Sequence, residues 1–127
     1  MELKPDLVRE TLLAIEKTGF REKLSFKDLY DRLEDSKHYD PDDVAYTLKK
    51  LIEGGLIFGS ASDNLGYIAE ELTFEGHEFL NNIREKSVWE STRNVISTVG
   101  GASLKVFGDV AKYFVKSKLR EIGVITS

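Results

Sequence analysis

The chain has 127 residues, a hydrophobic fraction of 41% and a formal net charge of −4, which suits one globular domain with an appended element. It has no cysteine, so disulfides and thiolate metal sites are excluded. No apolar run approaches the roughly 20 residues that span a bilayer, and residues 1–6 lack the pattern of a signal peptide. We therefore expect a cytoplasmic protein that does not span a membrane.

A first amphipathic helix is predicted over residues 5–18. Val8, Leu12 and Ile15 recur at helical spacing and form its apolar face. After this helix, Leu24 is expected to pair as a short strand with a later hairpin.

A second helix is predicted to begin after Ser25. The Ser25 hydroxyl is a good N-cap, and Asp28 has the spacing of a capping box. The predicted buried stripe consists of Phe26, Leu29, Tyr30 and Leu33. A polar turn over residues 34–39 then leads to a third helix, which is the order of a helix-turn-helix.

The third helix is predicted to begin at Asp40 and to end at Gly54-Gly55. Asp40 is a strong N-cap, and the proline that follows it suits the first helical position. The predicted apolar face consists of Val44, Leu48, Leu51 and Ile52. Both glycines are expected to take the cap conformation that ends a helix.

Two β-like runs, residues 56–58 and 67–69, follow with a polar turn over residues 60–66. Helix, helix, turn, helix and hairpin is the order of a winged helix. The predicted fold class is therefore α+β and mostly helical. A winged helix-turn-helix domain is expected over residues 1–85 and a C-terminal helical extension over residues 86–127.

Three further helices are predicted after the hairpin. Thr73 caps the first, over residues 74–84, with Phe79, Leu80 and Ile83 on its inner side. The other two are expected over residues 88–99 and 103–122, with Gly100-Gly101 between them, and residues 124–127 are expected to fray.

The stretch LTFEGHEFL at residues 72–80, with Ile83-Arg84 and Val88-Trp89 after it, resembles a family signature. The family is an uncharacterised one of bacteria and phages, common in Firmicutes genomes and prophages and known as a domain of unknown function. Further similarity lies in residues 4–16, 38–39, 51–57 and the Gly-Gly break before Ser103. The resemblance implies a winged helix with extra C-terminal helices and a phage-related role, and it carries no established activity.

The outer face of the third helix is the first candidate contact surface. Tyr46, Lys49 and Lys50 are candidate contacts to a partner or to nucleic acid. The carboxylates of Asp40, Asp42 and Asp43 suit the helix dipole, but they would repel the phosphates that line a DNA groove. The expected wing tip, residues 59–64, has no Lys or Arg and is interpreted as a mobile turn, so DNA contact here is disfavoured.

The C-terminal region carries a charge opposite to that of the rest of the chain. Residues 1–83 hold 10 Lys and Arg against 18 Asp and Glu, whereas residues 84–127 hold 8 against 4. The excess of basic residues in the C-terminal region indicates either a basic interaction surface or ordinary solvated faces. The candidate contacts here are Lys105, Lys112 and Lys116.

An apolar stripe on the last helix, made of Leu104, Phe107, Ala111 and Phe114, must be covered. Three interpretations stay open. The last two helices pack on the winged-helix body, they form the seam of a symmetric homodimer, or they touch a membrane or nucleic acid. Asp109 and Glu121 dilute the positive charge and weigh against the third.

No catalytic, cofactor or metal site is predicted. The sequence has neither a nucleophile elbow nor a phosphate-binding glycine loop. His38 and His77, the two histidines, are expected to pack or cap.

The sequence thus predicts a non-enzymatic winged-helix binding module that acts through protein–protein contact. The alternative is a DNA-binding transcriptional regulator whose basic C-terminal region supplies the phosphate contacts. The acidic third helix favours the first, and the fold with its phage-like relatives favours the second.

Overall fold

The computed structural model describes residues 3–20, 22–33, 38–62 and 66–124, which form an α+β structure that is mostly helical. In chain order the elements are α1 (Pro5–Glu16), β1 (Leu24–Ser25), α2 (Phe26–Arg32), α3 (Pro41–Glu53), β2 (Ile57–Ser62), β3 (Gly66–Leu72), α4 (Phe74–Ile83), α5 (Lys86–Thr98) and α6 (Leu104–Glu121). Among these helices, none combines the length and the apolar character that a membrane-spanning segment requires.

The chain divides into two compact units, Met1–His77 and Glu78–Ser127. The division falls inside α4, a few residues before the predicted domain boundary after residue 85. That predicted boundary stays a prediction. The first unit contains the sheet and α1 to α3, and the second contains α5 and α6.

The sheet of the first unit is antiparallel, with the strand order β1-β3-β2. Leu24 pairs with Ala69, which confirms the predicted short strand. The hairpin is longer than predicted. Ser60 pairs with Ile68, and Ser62 with Gly66, although residues 60–62 were expected in the turn. Residues 60–62 are small and show no hydrophobic alternation, so the sequence pattern does not predict that this end of the hairpin is paired.

The hairpin contains an irregular step at Gly59. Phe58 pairs with Glu71 and Gly59 with Ala69, so the ladder passes over Glu70 as in a β-bulge. A Cβ at position 59 would lie 2.5 Å from the Ile68 carbonyl oxygen. Only glycine fits this close approach. The predicted mobile wing tip is therefore wrong for Gly59–Ser62, which lie in β2, while residues 63 and 64 lie outside the described part.

Helix α3 is the centre of the first unit and packs on α1, α2, β2 and β3. Val44, Leu48 and Leu51 are completely buried, as predicted. Asp40 accepts a hydrogen bond from the backbone N–H of Asp42 at 2.8 Å, which confirms the N-cap. At the other end only Gly55 takes the left-handed conformation, with φ of 78°, whereas Gly54 stays helical. One left-handed residue suffices to end the helix.

The connection from the hairpin to α4 is held by Thr73. Its backbone N–H donates to the Leu56 carbonyl at 3.0 Å. Its hydroxyl donates to the Gly55 carbonyl at 2.6 Å and accepts from the Gly76 N–H at 2.9 Å. A Cβ at position 76 would lie 2.0 Å from the Leu56 carbonyl oxygen. We call this arrangement the Thr73–Gly76 clamp.

The second unit is built on aromatic contacts. The Phe107 ring of α6 lies 5.1 Å from the Phe79 ring and 5.7 Å from the Trp89 ring, measured between centroids. Helix α5 begins after Glu85, which accepts from the Val88 N–H at 2.9 Å, and α6 begins after Ser103. Thus the predicted helices over residues 88–99 and 103–122 are confirmed with small shifts at their ends.

Replacing Gly76 by alanine should destabilise the protein by about 1–3 kcal/mol, because the added methyl group must displace the Leu56 backbone. The matched control is Gly108→Ala in α6, where the nearest atoms to the new Cβ would be those of the Phe79 ring at 3.4 Å, an ordinary contact. Alanine there should be neutral or stabilise by about 0.5–1 kcal/mol. Urea unfolding followed by circular dichroism measures both. Equal unfolding midpoints for Gly76→Ala and the unmodified chain would contradict the clamp.

Candidate functional site

The acidic start of α3 is less exposed than the sequence predicts. Asp43 is 7% exposed, and its carboxylate lies 3.0 Å from the Lys4 ammonium. The prediction that Asp43 lies on the outer face is therefore wrong, because this carboxylate ties the N-terminus of α1 to α3. Asp40 and Asp42 remain exposed at the helix start.

The basic residues of α3 are partly used by the helix itself. The Lys50 ammonium lies 3.2 Å from a Glu53 carboxylate oxygen and 5.4 Å from the centre of the Tyr46 ring. The hydrogen bond to Glu53 raises the pKa of Lys50. Lys49 is half-buried and has no ion pair among the described residues. Of the two lysines among the three predicted contacts on α3, Lys50 is thus paired, and Lys49 has no partner carboxylate in the described part.

A different surface of the first unit exposes aromatic rings beside carboxylates. Phe20 is 82% exposed, Phe58 is 52% exposed and Phe74 is 73% exposed. Phe20 and Lys23 line a depression of about 290 Å³ with two glutamates of β3. We call the set Phe20, Phe58, Glu70, Glu71 and Phe74 the aromatic–acidic surface.

The hairpin explains why this surface exists. Directly opposed residues of an antiparallel pair have side chains on the same face, so Phe58 and Glu71 lie side by side. Phe74 begins α4 three residues after Glu71. The Lys23 ammonium lies 3.4 Å from Glu70, whereas Glu71 is exposed without an ion pair in the described residues. The surface therefore combines apolar rings with a residual negative charge.

Sequence reasoning did not single out these three phenylalanines, although a signal for two of them was present. Ile57 is buried, so strand alternation turns Phe58 to the opposite face. Phe74 lies opposite the inner side of α4, which carries Leu80 and Ile83. An apolar residue out of phase with the core pattern marks an exposed surface.

The second unit carries a line of lysines. Lys105, Lys112 and Lys116 of α6 recur at i, i+7 and i+11, which places them along one side of the helix. All three are exposed, and none has an ion pair in the described residues. The sequence-predicted basic contacts are therefore brought together, and we call them the basic line.

The predicted dimer seam is largely occupied within the single chain. Phe107 is 3% exposed and Ala111 is fully buried. Leu104 and Phe114 are half-buried. Since Phe107 already contacts Phe79 and Trp89, it belongs to the core of the second unit, and Phe107 and Ala111 are not an exposed seam.

The last turns of α6 are attached to the start of α5. The Lys118 ammonium lies 3.1 Å from a Glu85 carboxylate oxygen and donates to the Ser87 hydroxyl at 2.6 Å. Hydrogen bonds from the Ser87 hydroxyl, the Val88 N–H and Lys118 lower the pKa of Glu85 to about 2. Because the ammonium donates to the serine oxygen, this contact does not activate the hydroxyl as a nucleophile. We call these three residues the α5–α6 clasp.

The two histidines lie at the surface of the described part of the chain. His38 and His77 are both exposed. In the described ranges no three His, Cys, Asp or Glu side chains are grouped as a metal site.

Glu85→Gln should lower stability at neutral pH, since the amide keeps the size of the side chain but loses the charge that Lys118 contacts. The folded-state pKa of Glu85 is about 2 against an ordinary value of 4.5. Its contribution is therefore fully present above pH 4.5 and is lost as the pH falls from 4.5 towards 2. Urea midpoints of both proteins across this range should converge towards low pH. Glu90→Gln, at an exposed position of the same helix, is the control and should follow the unmodified protein throughout; a constant Glu85→Gln difference would contradict the assignment.

Comparisons with known proteins agree with the expected kind of family. A family model described as "Hypothetical protein (DUF2513)" matches residues 2–103, a range that includes the Thr73–Gly76 clamp and ends just before α6. An uncharacterized protein of Haemophilus influenzae is 30% identical over 118 residues, which cover 90% of this chain and 95% of the relative. No solved structure matches the chain. The resemblance to a family of unknown function is thus confirmed at that level: the chain belongs to the DUF2513 family of hypothetical proteins.

Proposed function

We propose that the protein is a non-enzymatic binding module with a winged-helix fold that acts through protein–protein contact. The element order α1-β1-α2-α3-β2-β3 and the strand order β1-β3-β2 support the winged-helix assignment. The observation that carries the function is the exposure of three phenylalanines of the first unit, of which Phe20 lines a depression with two glutamates and Phe58 pairs with one of them.

The chemistry of the aromatic–acidic surface indicates the kind of partner. Aromatic side chains are enriched at protein interfaces, where burial of one ring removes a large apolar area from water. Glu71 and the nearby Glu70 favour a partner that presents Lys or Arg around apolar residues. The proposed partner is therefore a protein segment with apolar and basic side chains.

The charges of the first unit support protein contact over DNA contact. Asp40 and Asp42 lie exposed at the start of α3, where a recognition helix would meet the bases. The described strands of the hairpin contain no Lys or Arg, and β3 contains Glu70 and Glu71. Phosphate contacts supply much of the affinity of DNA-binding proteins, and this face offers few groups to make them.

The second candidate function is a DNA-binding regulator, and the basic line favours it. Lys105 and Lys116 are separated by 11 residues of helix, or about 16 Å at the helical rise. Three ammonium groups along this length, without ion pairs among the described residues, match the polyanionic backbone of a duplex in sign. In this alternative α6, and not α3, contacts the phosphates.

Two further expectations belong with this proposal. The homodimer through the C-terminal helices stays a prediction, now without Phe107 and Ala111 as its exposed seam. The link to phage or prophage biology likewise stays an expectation from the family resemblance.

DNA binding is tested by fluorescence anisotropy with a generic duplex at about 50 mM and about 200 mM salt, a range over which phosphate-binding proteins lose orders of magnitude in affinity. The protein-contact proposal expects no binding at the lower salt. Strong, salt-sensitive binding that Lys105→Gln/Lys112→Gln/Lys116→Gln abolishes and Lys49→Gln preserves would establish the alternative instead.

The aromatic–acidic surface is tested with the double variant Phe58→Ser/Phe74→Ser as bait in extracts of the host cell. Loss of an anchoring aromatic side chain weakens binding by about tenfold or more, so proteins retained by the unmodified chain should be depleted with this bait. Tyr113→Ser is the matched control, because Tyr113 is an exposed aromatic residue of α6 outside this surface. Equal retention by both baits, quantified by mass spectrometry, would contradict protein contact at this surface.

A further inference from the structure

A groove of about 340 Å³ lies between α1 and the end of α2 in the first unit. Its apolar lining consists of Leu13, Ala14 and Leu33. Leu13 is half-buried and stands beside the core face of α1, while Ala14 and Leu33 are almost completely buried. The volume falls within the range of small-molecule sites, roughly 300–1,000 Å³.

The polar lining is mostly cationic. Among the described residues, the lining contains the cations Arg9, Lys17 and Arg32 and one carboxylate, that of Glu10. The Glu10 carboxylate accepts a hydrogen bond from the Tyr39 hydroxyl, so it already has a donor of its own. Three cations at one groove contrast with residues 1–83 as a whole, where 18 acidic side chains outnumber 10 basic ones. With the Arg32–Glu22 contact included, the described residues at the groove still hold three cations against two carboxylates, a positive balance in an acidic unit.

Arg32 is held in place from outside the groove lining. Its guanidinium contacts a Glu22 carboxylate oxygen at 3.3 Å, and the other carboxylate oxygen accepts from the Gly19 N–H at 3.0 Å. These contacts, led by the Gly19 hydrogen bond, lower the pKa of Glu22 and keep it charged. Guanidinium has five N–H donors, so Arg32 retains donors for a ligand. Lys17 has no ion pair in the described residues.

We propose that this groove binds a small amphipathic anion, namely a carboxylate that carries a short aliphatic chain. The aliphatic chain of the ligand lies on Leu13, Ala14 and Leu33, and the carboxylate of the ligand lies at the cationic rim of the groove. Burial of the chain removes apolar surface from water, and Arg and Lys provide charge-assisted hydrogen bonds to the carboxylate. The groove contains no residue of the aromatic–acidic surface, so ligand binding here does not depend on the proposed protein contact.

The proposal is tested by isothermal titration of the full chain with octanoate, octanol and octylammonium, which share one aliphatic chain and differ in charge. Octanoate should bind about tenfold more tightly than octanol, the discrimination that one charge-assisted hydrogen bond provides. Octylammonium should bind more weakly than octanol, because the rim repels it. Equal affinity for octanoate and octanol, or no binding of octanoate, would overturn the proposal.

The location is tested by charge reversal and by amide chemical shifts. Lys17→Glu should reduce octanoate affinity severalfold, whereas Lys27→Glu, an equally exposed reversal on α2 outside the groove, should leave it unchanged. On the unmodified protein, octanoate should shift the amide resonances of residues 9–17, 32 and 33. Shifts confined to other elements, or an equal loss of affinity in both variants, would place binding elsewhere and refute the site.

Discussion

The approach of α4 to the backbone of Leu56 is the constraint on which the first unit depends. The Gly76 Cα sits where any side chain would overlap the Leu56 carbonyl oxygen. Thr73 satisfies the polar groups that this approach buries, with one hydroxyl that donates to Gly55 and accepts from Gly76. The Leu-Thr-x-x-Gly stretch at residues 72–76 therefore has a structural explanation, in which a threonine and a glycine allow the start of α4 to contact the Leu56 backbone.

Acidic side chains serve two purposes in the first unit. Asp40 caps α3, and Asp43 joins α3 to the Lys4 end of α1. The carboxylates of Glu70 and Glu71 instead lie among exposed rings. Net charge alone does not distinguish these groups, although Glu71, unlike Glu70 with its Lys23 contact, has no ion pair among the described residues and can contribute to recognition. In the second unit the same distinction separates Lys118, which is engaged by Glu85, from the basic line.

Much of the fold was predictable from the sequence, because caps and periodicity are local. Helix starts are indicated by the capping side chains of Asp40, Ser25 and Thr73. A buried helix face is indicated by the spacing of Val44, Leu48 and Leu51. The length of the hairpin was not predictable, since Ser60 and Ser62 pair only because their partners on β3 are in register. The burial of Asp43 was equally hidden, because its partner Lys4 lies 39 positions earlier in the chain. The candidate site was predicted least well: the lysines of α6 were named as candidate contacts without their alignment, and the exposed phenylalanines are recognised only when the core face is known.

Strand β2 has a consequence for the handling of this protein. It is an outer strand of the sheet, and its sequence from Ile57 to Ser62 contains neither charge nor proline. Natural sheets use charged residues, prolines and β-bulges on edge strands to prevent edge-to-edge association. The irregular step beside Gly59 places its extra residue on β3, and not on the edge strand β2. Strand β2 itself therefore supplies none of these protections, and a lysine at the exposed Ser60 position would add a charge that opposes intermolecular sheet extension along this edge.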